Sequence, residues 1–369
     1  MDKNEQKKIA FLLPGRDRTP CGGYKIVYEY ANRFSDAGYE VSIVYPHVED
    51  IFNKHGKNVF FRIKRYLGFI IKWKLGGRLK GGEWFDLSPD IKKVFVFRLD
   101  NHFLKRKLKD NKIVATAIET AFALNKITFI SDQNKFYFIQ DFEKWNGKTD
   151  DDVYNSFRFP LRKIVIAPWL LHEVEKSGGT ATLVPNGFDF DYFKLANPIE
   201  TRSPYEIAML YHKDDRKRCC DSIEALKIVK ERFPELHVTM FGTPEKPELP
   251  DWFSYYRCPD RQTHNMIYNT ASIFVAASKA EGMALPPGEA MICGAALCCT
   301  DIGGFALYAK NDETALLSPV FDVQKLSENI TKLIEDNELR IRLAKSGNSY
   351  IKQFTWQNAF AQFKSAIEG

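Results

Sequence analysis

Short, almost wholly apolar runs alternate along this chain with longer segments whose apolar positions recur every three or four residues. Runs at 9–13, 41–45, 94–97, 113–117, 136–140, 164–167 and 182–184 read as buried strands, and a second series follows at 206–211, 237–241, 272–277, 296–300 and 316–318. Between strands, a spacing such as Ile26, Val27, Tyr30, Ala31 and Phe34, stopped at Gly38, marks an amphipathic helix. Strands alternating with helices build parallel sheets covered on both faces, so the two series predict an α/β chain of two Rossmann-like domains. The length of 369 residues, 44% of them hydrophobic, fits two domains of ordinary size. The boundary falls in the aromatic, Asp, Asn and Pro segment 188–203, giving a first domain over 1–190 and a second over 191–353.

Composition narrows the classes. A net charge of +6 is too small, and its basic residues too poorly patterned, for a nucleic-acid reader. Local charge is another matter: Arg62, Lys64, Arg65, Lys72, Lys74, Arg78 and Lys80 crowd a stretch that also carries Tyr66, Leu67, Phe69, Ile70, Ile71 and Trp73. Over 62–80 this reads equally as a helix lying on an anionic membrane or facing an acidic acceptor, and as a basic surface helix packed on its domain. No apolar run approaches the roughly 20 residues that span a bilayer, and the opening MDKNEQKK is no signal peptide, so a cytoplasmic protein is expected, with peripheral contact at the inner membrane face through 62–80. Seven cysteines, paired in sequence at Cys219-Cys220 and Cys298-Cys299, match neither a disulfide framework nor zinc spacing. There is no HExxH, DxD pair at a strand end or nucleophile elbow. Gly15, Gly22 and Gly23 are too far apart for a dinucleotide fingerprint, which counts against a nicotinamide-dependent oxidoreductase.

Three groups of residues carry candidate chemistry. Glu281 and Glu289, eight positions apart, bracket a turn and the opening of a helix that follows the apolar run 272–277. The amides of Met283, Ala284 and Leu285, after Gly282, then lie near the unpaired N–H groups of a helix start, where a diphosphate is favoured. Pro286 and Pro287 suit the same first turn, since they give up amides without helical partners. The second group is the polar loop Leu210 to Arg218, in which Lys217 is the leading phosphate ligand and Lys213, Arg216 and Arg218 are alternatives for a second cation. The third is Gly22-Gly23, which permits close backbone approach to a ligand and fits an ordinary tight turn equally well.

The sequence EGMALPPGEAMICG resembles the Glu-x7-Glu signature of retaining glycosyltransferases of the GT-B fold, in particular glycosyltransferase family 4, usually EGFGLPxxEAMACG. The resemblance implies two Rossmann-like domains facing each other across a cleft, with the C-terminal helix, 354–369, crossing back to the first. It implies that Glu289 holds the donor ribose and that Glu281 contacts the sugar and phosphate at the reacting end. Lys217 aligns with the family's lysine, whereas Tyr211 or His212 stands where an arginine is usual and Arg218 replaces a glycine. Pro185-Asn186-Gly187 is similar to the family's hinge, Asp301-Ile302-Gly303-Gly304 to its D-x-GG turn, and Phe241-Gly242-Thr243 to the loop bordering the nucleotide. The base is then expected near 255–259, on Tyr256 or Arg257, and Gly22-Gly23 in the cleft beside donor phosphates and acceptor. The stretch Phe138 to Glu143 resembles bacterial rhamnosyltransferases of the WsaF type and places Asp141 where an acceptor should enter.

The function this implies is transfer, with retention and without a metal or other cofactor, from a nucleoside diphosphate sugar to a hydroxyl of a cell-surface glycan or lipid-linked oligosaccharide. dTDP-rhamnose is the first choice of donor and a uridine-diphosphate hexose the second. Lys217 would stabilise the leaving phosphates, Glu281 the reacting sugar, and Asp141 would assist the acceptor. The alternatives are a GT-B-fold sugar-nucleotide epimerase or phosphorylase, which needs no external acceptor, and a non-catalytic nucleotide-sugar-binding protein.

Overall fold

A computed structural model describes residues 7–17, 20–47, 66–71, 80–145 and 147–369. The chain divides into two compact units, one of 1–166, 170–184 and 360–369 and one of 167–169 and 185–359. Of the basic and aromatic stretch 62–80, only 66–71 and Lys80 fall within the described residues. No helix among the described residues is long and apolar enough to cross a membrane.

The first unit holds a parallel sheet of β1 (Lys8–Leu12), β2 (Glu40–Pro46), β3 (Lys92–Val96), β4 (Lys112–Ala115), β5 (Lys135–Ile139), β6 (Arg162–Val165) and β7 (Ala181–Leu183). Their spatial order is β3-β2-β1-β4-β5-β6-β7. The strands read as apolar runs because helices bury both faces of a parallel sheet. One such helix, Gly22–Asp36, turns Ile26, Val27, Tyr30, Ala31 and Phe34 inward. The end of the helix Trp356–Glu368 belongs to this unit: Phe363 stacks on Tyr30 at 4.2 Å, and Phe360 meets Phe34 edge-on at 5.0 Å.

The second unit holds β8 (Glu206–Tyr211), β9 (His237–Gly242), β10 (Phe253–Arg257), β11 (Ile273–Ala276), β12 (Ala296–Thr300) and β13 (Ala315–Ser318), in the order β10-β9-β8-β11-β12-β13. All its ladders are parallel. Ile207, Met209, Val238, Ile273, Val275 and Cys298 pack in one cluster with Ala225, Leu226 and Val229 of the helix Cys219–Arg232 and Leu326, Ile330 and Leu333 of the helix Val323–Glu335. Full burial of each large apolar side chain contributes about 1.5–3 kcal/mol, so this layer dominates the unit's stability. Cys298 and Cys299 are wholly buried and all seven cysteines are free, which makes the β12 pair small apolar residues, with burial pushing both thiols up. Of these strands only β10 has no counterpart in the apolar runs, because as an edge strand it carries half-exposed Tyr255, Tyr256 and Arg257.

Both strand orders reverse direction once. In the second sheet the chain adds strands outward from β8 through β10 and then returns to add β11 through β13 on the other side. The loops that leave β8 and β11 therefore diverge, opening a crevice at the C-terminal edge of the sheet where open α/β folds hold ligands. The corresponding point in the first sheet lies between β1 and β4.

Candidate active site

The crevice between β8 and β11 is where the charged residues meet. Lys217, in the 3-10 turn Asp215–Lys217 after β8, donates from Nζ to both carboxylate oxygens of Glu281, at 2.7 Å each. Glu281 lies in the loop after β11, and its Oε1 also accepts from Ser278 Oγ at 2.8 Å. Ser278 is itself fixed, for its carbonyl accepts from the Thr300 hydroxyl of β12 at 2.5 Å. The two loops are stitched together by the Lys279 N–H, which donates to the Arg216 carbonyl at 2.8 Å, and by a Lys279–Asp215 ion pair. Lys217 and Glu281 side chains are 22% and 12% exposed, so solvent reaches the pair from one side and a ligand that supplies its own negative charge replaces Glu281 as the partner of Lys217. Beside the pair lies a recess of about 20 Å³, lined by Lys217, Cys219, Ser222, Ser278, Glu281 and Pro286 among others.

Gly304 explains why Glu281 stays in register. A Cβ on this glycine would lie 2.4 Å from Glu281 Cβ and 2.5 Å from the Glu281 carbonyl oxygen, so only glycine lets the 301–304 turn press on the loop.

The helix Leu285–Ile292 starts directly behind. Its N-cap, Ala284, supplies no side-chain cap, and Pro286 and Pro287 occupy the first turn. Ala284 is pinned, its N–H donating to the Gly304 carbonyl at 3.2 Å and its carbonyl accepting from the buried Tyr308 hydroxyl at 2.5 Å. Of the three amides expected to face a diphosphate, that of Ala284 is thus engaged within the unit, while those of Met283 and Leu285 have no partner among the described residues. Gly282, Met283 and Ala284 are buried and form the bend from loop to helix.

Glu289 sits one turn inside this helix and is 7% exposed. Burying a carboxylate is costly unless hydrogen bonds replace its water. The Tyr268 hydroxyl donates to Oε2 at 3.0 Å; burial and the carboxylate together push that phenol far above its ordinary range. Tyr268 belongs to a ring cluster with Phe193, Phe241 and His264, the His264 and Tyr268 rings stacking at 4.9 Å. Arg261, at the start of the helix Arg261–Thr270 that carries Tyr268, lies over the Tyr192 ring at 4.5 Å.

The two arginines of the β8 loop are committed elsewhere. Arg216 donates to Asp214 from Nε at 3.0 Å and from Nη2 at 2.9 Å. Arg218 bridges Asp221 and Asp215 at 2.6 and 2.8 Å; Asp221 above all keeps its guanidinium firmly protonated. Its backbone is left-handed, φ 45° and ψ 40°, at the start of the helix Cys219–Arg232, which is the conformation a glycine adopts freely. Lys213 is exposed. His212, whose Nδ1 accepts from the Asp214 N–H at 3.0 Å, is held below its usual range by desolvation and by Lys217.

The remaining sequence candidates lie apart from this cluster. Tyr256 is 37% exposed on the edge strand β10. Arg257 donates to the Thr243 carbonyl at 3.2 Å and pairs with Glu245 at 2.6 Å. In the first unit, Gly22 and Gly23 open the helix Gly22–Asp36, which has no side-chain cap, and a Cβ on Gly23 would touch the Gln140 amide at 3.7 Å. Asp141 follows β5, and its carboxylate accepts from the Phe142 N–H at 2.8 Å. Sequence reasoning missed Tyr268 and the rings around His264, which meet Glu289 only through the packing of separate helices, and Ser278, whose hydroxyl reaches Glu281 three residues on through the turn of the loop.

Two open parallel sheets, each reversing its strand order once, match the GT-B fold of known structures. Structures covering nearly the whole chain include Anabaena Alr3699/HepE in complex with UDP and glucose, with TM-score 0.72, 12% identity and 98% and 100% of the two chains covered. TarM has TM-score 0.72 and 11% identity, with both chains fully covered. Residues 201–350 match the family model for glycosyl transferases group 1, so the second unit carries a glycosyltransferase domain. Among curated proteins, the phosphatidyl-myo-inositol mannosyltransferase of Mycobacterium tuberculosis is 23% identical over 211 residues, 53% of this chain and 56% of that protein. The O-antigen chain mannosyltransferase B of Escherichia coli is 29% identical over 124 residues, 34% and 32% of the two chains. The match spans about half the length of the mycobacterial relatives.

Proposed function

We propose that this protein is a retaining, metal-independent glycosyltransferase that moves a sugar from a nucleoside diphosphate sugar to a hydroxyl of a cell-surface glycan or lipid-linked oligosaccharide. The observation that carries the reading is the Lys217–Glu281 ion pair at the β8/β11 switch point, with buried Glu289 eight residues further on at the start of an uncapped helix. In this scheme Glu289, held by Tyr268, accepts hydrogen bonds from the ribose hydroxyls. The diphosphate takes Lys217 and the amides of Met283 and Leu285, which meet the negative charge that grows as the sugar–phosphate bond breaks. Glu281, released from Lys217, remains beside the anomeric end. The acceptor hydroxyl forms the new bond on the face that the phosphate leaves, and the departing phosphate oxygen takes the hydroxyl proton, with Asp141 as a helper. Lys217 and the helix-start amides supply the charge stabilisation that a divalent ion would otherwise give.

For the donor, the WsaF-like stretch supports dTDP-rhamnose, and the UDP complexes of structural neighbours, HepE and the pneumococcal O-GlcNAc transferase GtfA, support a uridine nucleotide. The test is release of nucleoside diphosphate from a panel of dTDP-, UDP- and GDP-sugars in EDTA, with and without a mixture of glycan acceptors. Release that requires the acceptor, with a glycosylated product of unchanged anomeric configuration, is the expected result. Turnover without acceptor would make the protein an epimerase or phosphorylase. No turnover of any donor would overturn the reading.

A further inference from the structure

A buried arginine joins the two helices that hold the proposed ribose ligand. Arg202, at the entry to β8, is 7% exposed and has no carboxylate partner among the described residues. Its five recorded acceptors are four backbone carbonyls and one side-chain amide. Nη1 donates to the carbonyls of Ala271 at 2.9 Å and Tyr268 at 3.4 Å, which end the helix Arg261–Thr270. Nη2 donates to the carbonyl of Cys293 at 2.6 Å, the C-cap of the helix Leu285–Ile292, and to the Asn197 carbonyl at 2.8 Å and Asn269 Oδ1 at 3.4 Å.

The chemistry of this placement is specific. A helix C-terminus carries partial negative charge on its last carbonyls, and here one cation serves two such ends at once. Burial is severe enough to push the guanidinium down to about 10, and it remains protonated at neutral pH. Room for it depends on Gly294, whose φ is +89° and where a Cβ would stand 3.2 Å from Nη2 and 2.6 Å from Leu195 Cδ1. The two helices that Arg202 ties together carry Tyr268 and Glu289, one turn or less from the carbonyls it holds, and those side chains bond to each other at 3.0 Å. The geometry of that bond is therefore set by how the two helix ends are held.

We propose that Arg202 is a positioning residue for nucleotide binding: by clamping both helix ends it sets the Tyr268–Glu289 pair to receive the ribose. This rests on the donor site assigned to the second unit. It also explains why an unpaired cation is kept in the interior, where a charge without a carboxylate is costly.

The test is calorimetric binding of UDP and dTDP at low temperature to the wild type, Arg202→Lys, Glu289→Ala and the double variant, counting only folded protein. Lysine keeps the charge and loses the fork that reaches two helices. The expected result is an affinity loss of about tenfold for Arg202→Lys, with no further loss when it is added to Glu289→Ala, since both act on one contact. In turnover the loss appears in KM for the donor and not in kcat. Unchanged affinity in folded Arg202→Lys, or losses that multiply in the double variant, would overturn the proposal. If Arg202→Lys does not fold, Gly294→Ala, which crowds Nη2 without removing it, carries the test: a donor affinity lowered about threefold supports the proposal, and an unchanged one overturns it. Absence of UDP and dTDP binding by the wild type would refute the donor site itself, a separate outcome.

Discussion

The C-terminal edges of the two sheets use carboxylates in opposite ways. In the second unit Glu281 stands at the switch point, partly wet and paired with Lys217 across two loops, and the helix start behind it has no side-chain cap. In the first unit two carboxylates near the strand ends, Glu143 and Glu119, have turned inward. Glu143 is buried and accepts from the Ile118 N–H, at the start of the helix Ile118–Asn125. Glu119 is paired with Lys148, which is itself buried. Thr120 Oγ1 accepts from the N–H groups of Thr116 and Ala117 at 2.9 and 3.0 Å, so this helix start is satisfied from within. The lesson is that acidic residues at a strand's end mark a ligand edge where partly exposed side chains bind them, as Lys217 and Ser278 bind Glu281, and not where burial and a backbone N–H close them off, as with Glu143. Among the described residues, the open arrangement belongs to Glu281 and the closed one to Glu143.

The contrast predicts different failures on the two sides. The largest effect belongs to Glu281→Gln, which should lower kcat by about 10²–10³-fold with the fold retained, because glutamine keeps an oxygen that accepts from Lys217 and Ser278. A variant that melts far earlier yet keeps its turnover would recast Glu281 as structural. Next comes Gly304→Ala, whose methyl must displace the Glu281 backbone; a loss of about tenfold or more in kcat is expected with nucleotide affinity retained, from steady-state kinetics at saturating donor. Equal kcat in that variant would show that Glu281 tolerates movement.

The smallest effect is on the first unit and concerns stability. Burial raises the Glu143 carboxyl well above its ordinary value, and the Ile118 N–H offsets this only in part. The folded protein then keeps a proton that the unfolded chain releases above about pH 4.5, so this group makes stability fall as pH rises from there toward the folded value. Glu143→Gln removes the titration and preserves an acceptor for the Ile118 N–H. Urea melts between pH 5 and 9 should show a shallower decline for the variant than for the wild type; parallel slopes would mean that Glu143 is ionised in the fold.

Much of the architecture was legible because buried parallel strands are continuous apolar runs, as in Ser272 to Ala277 and Ala295 to Thr300. Strand β10 was not, since an edge strand such as Phe253–Arg257 need not be apolar. Within the site, Glu281, Glu289 and Lys217 were visible as residue types near strand ends and a helix start. Their pairing was not, because Lys217 and Glu281 are 64 positions apart and meet only through β8 and β11 being neighbours. Arg216 and Arg218 read as free cations, yet Asp214, Asp215 and Asp221, close in sequence, hold them through turn geometry that composition does not show. The left-handed Arg218 is a further case: the sequence registered a departure from glycine, and the backbone angle supplies the reason glycine is usual there.

The central claim is that the second unit binds a nucleoside diphosphate through Glu289 and Lys217. Its most direct test is thermal unfolding of the whole chain across a panel of nucleoside diphosphates and their sugars in EDTA, for the wild type and Glu289→Ala. A ligand at about 100 times its Kd adds about 2.7 kcal/mol to a native state that alone binds it, a rise of roughly 5–10 °C. The account predicts such a shift with one nucleotide class and its loss in Glu289→Ala. A shift that survives the substitution, or no shift with any nucleotide, would contradict it.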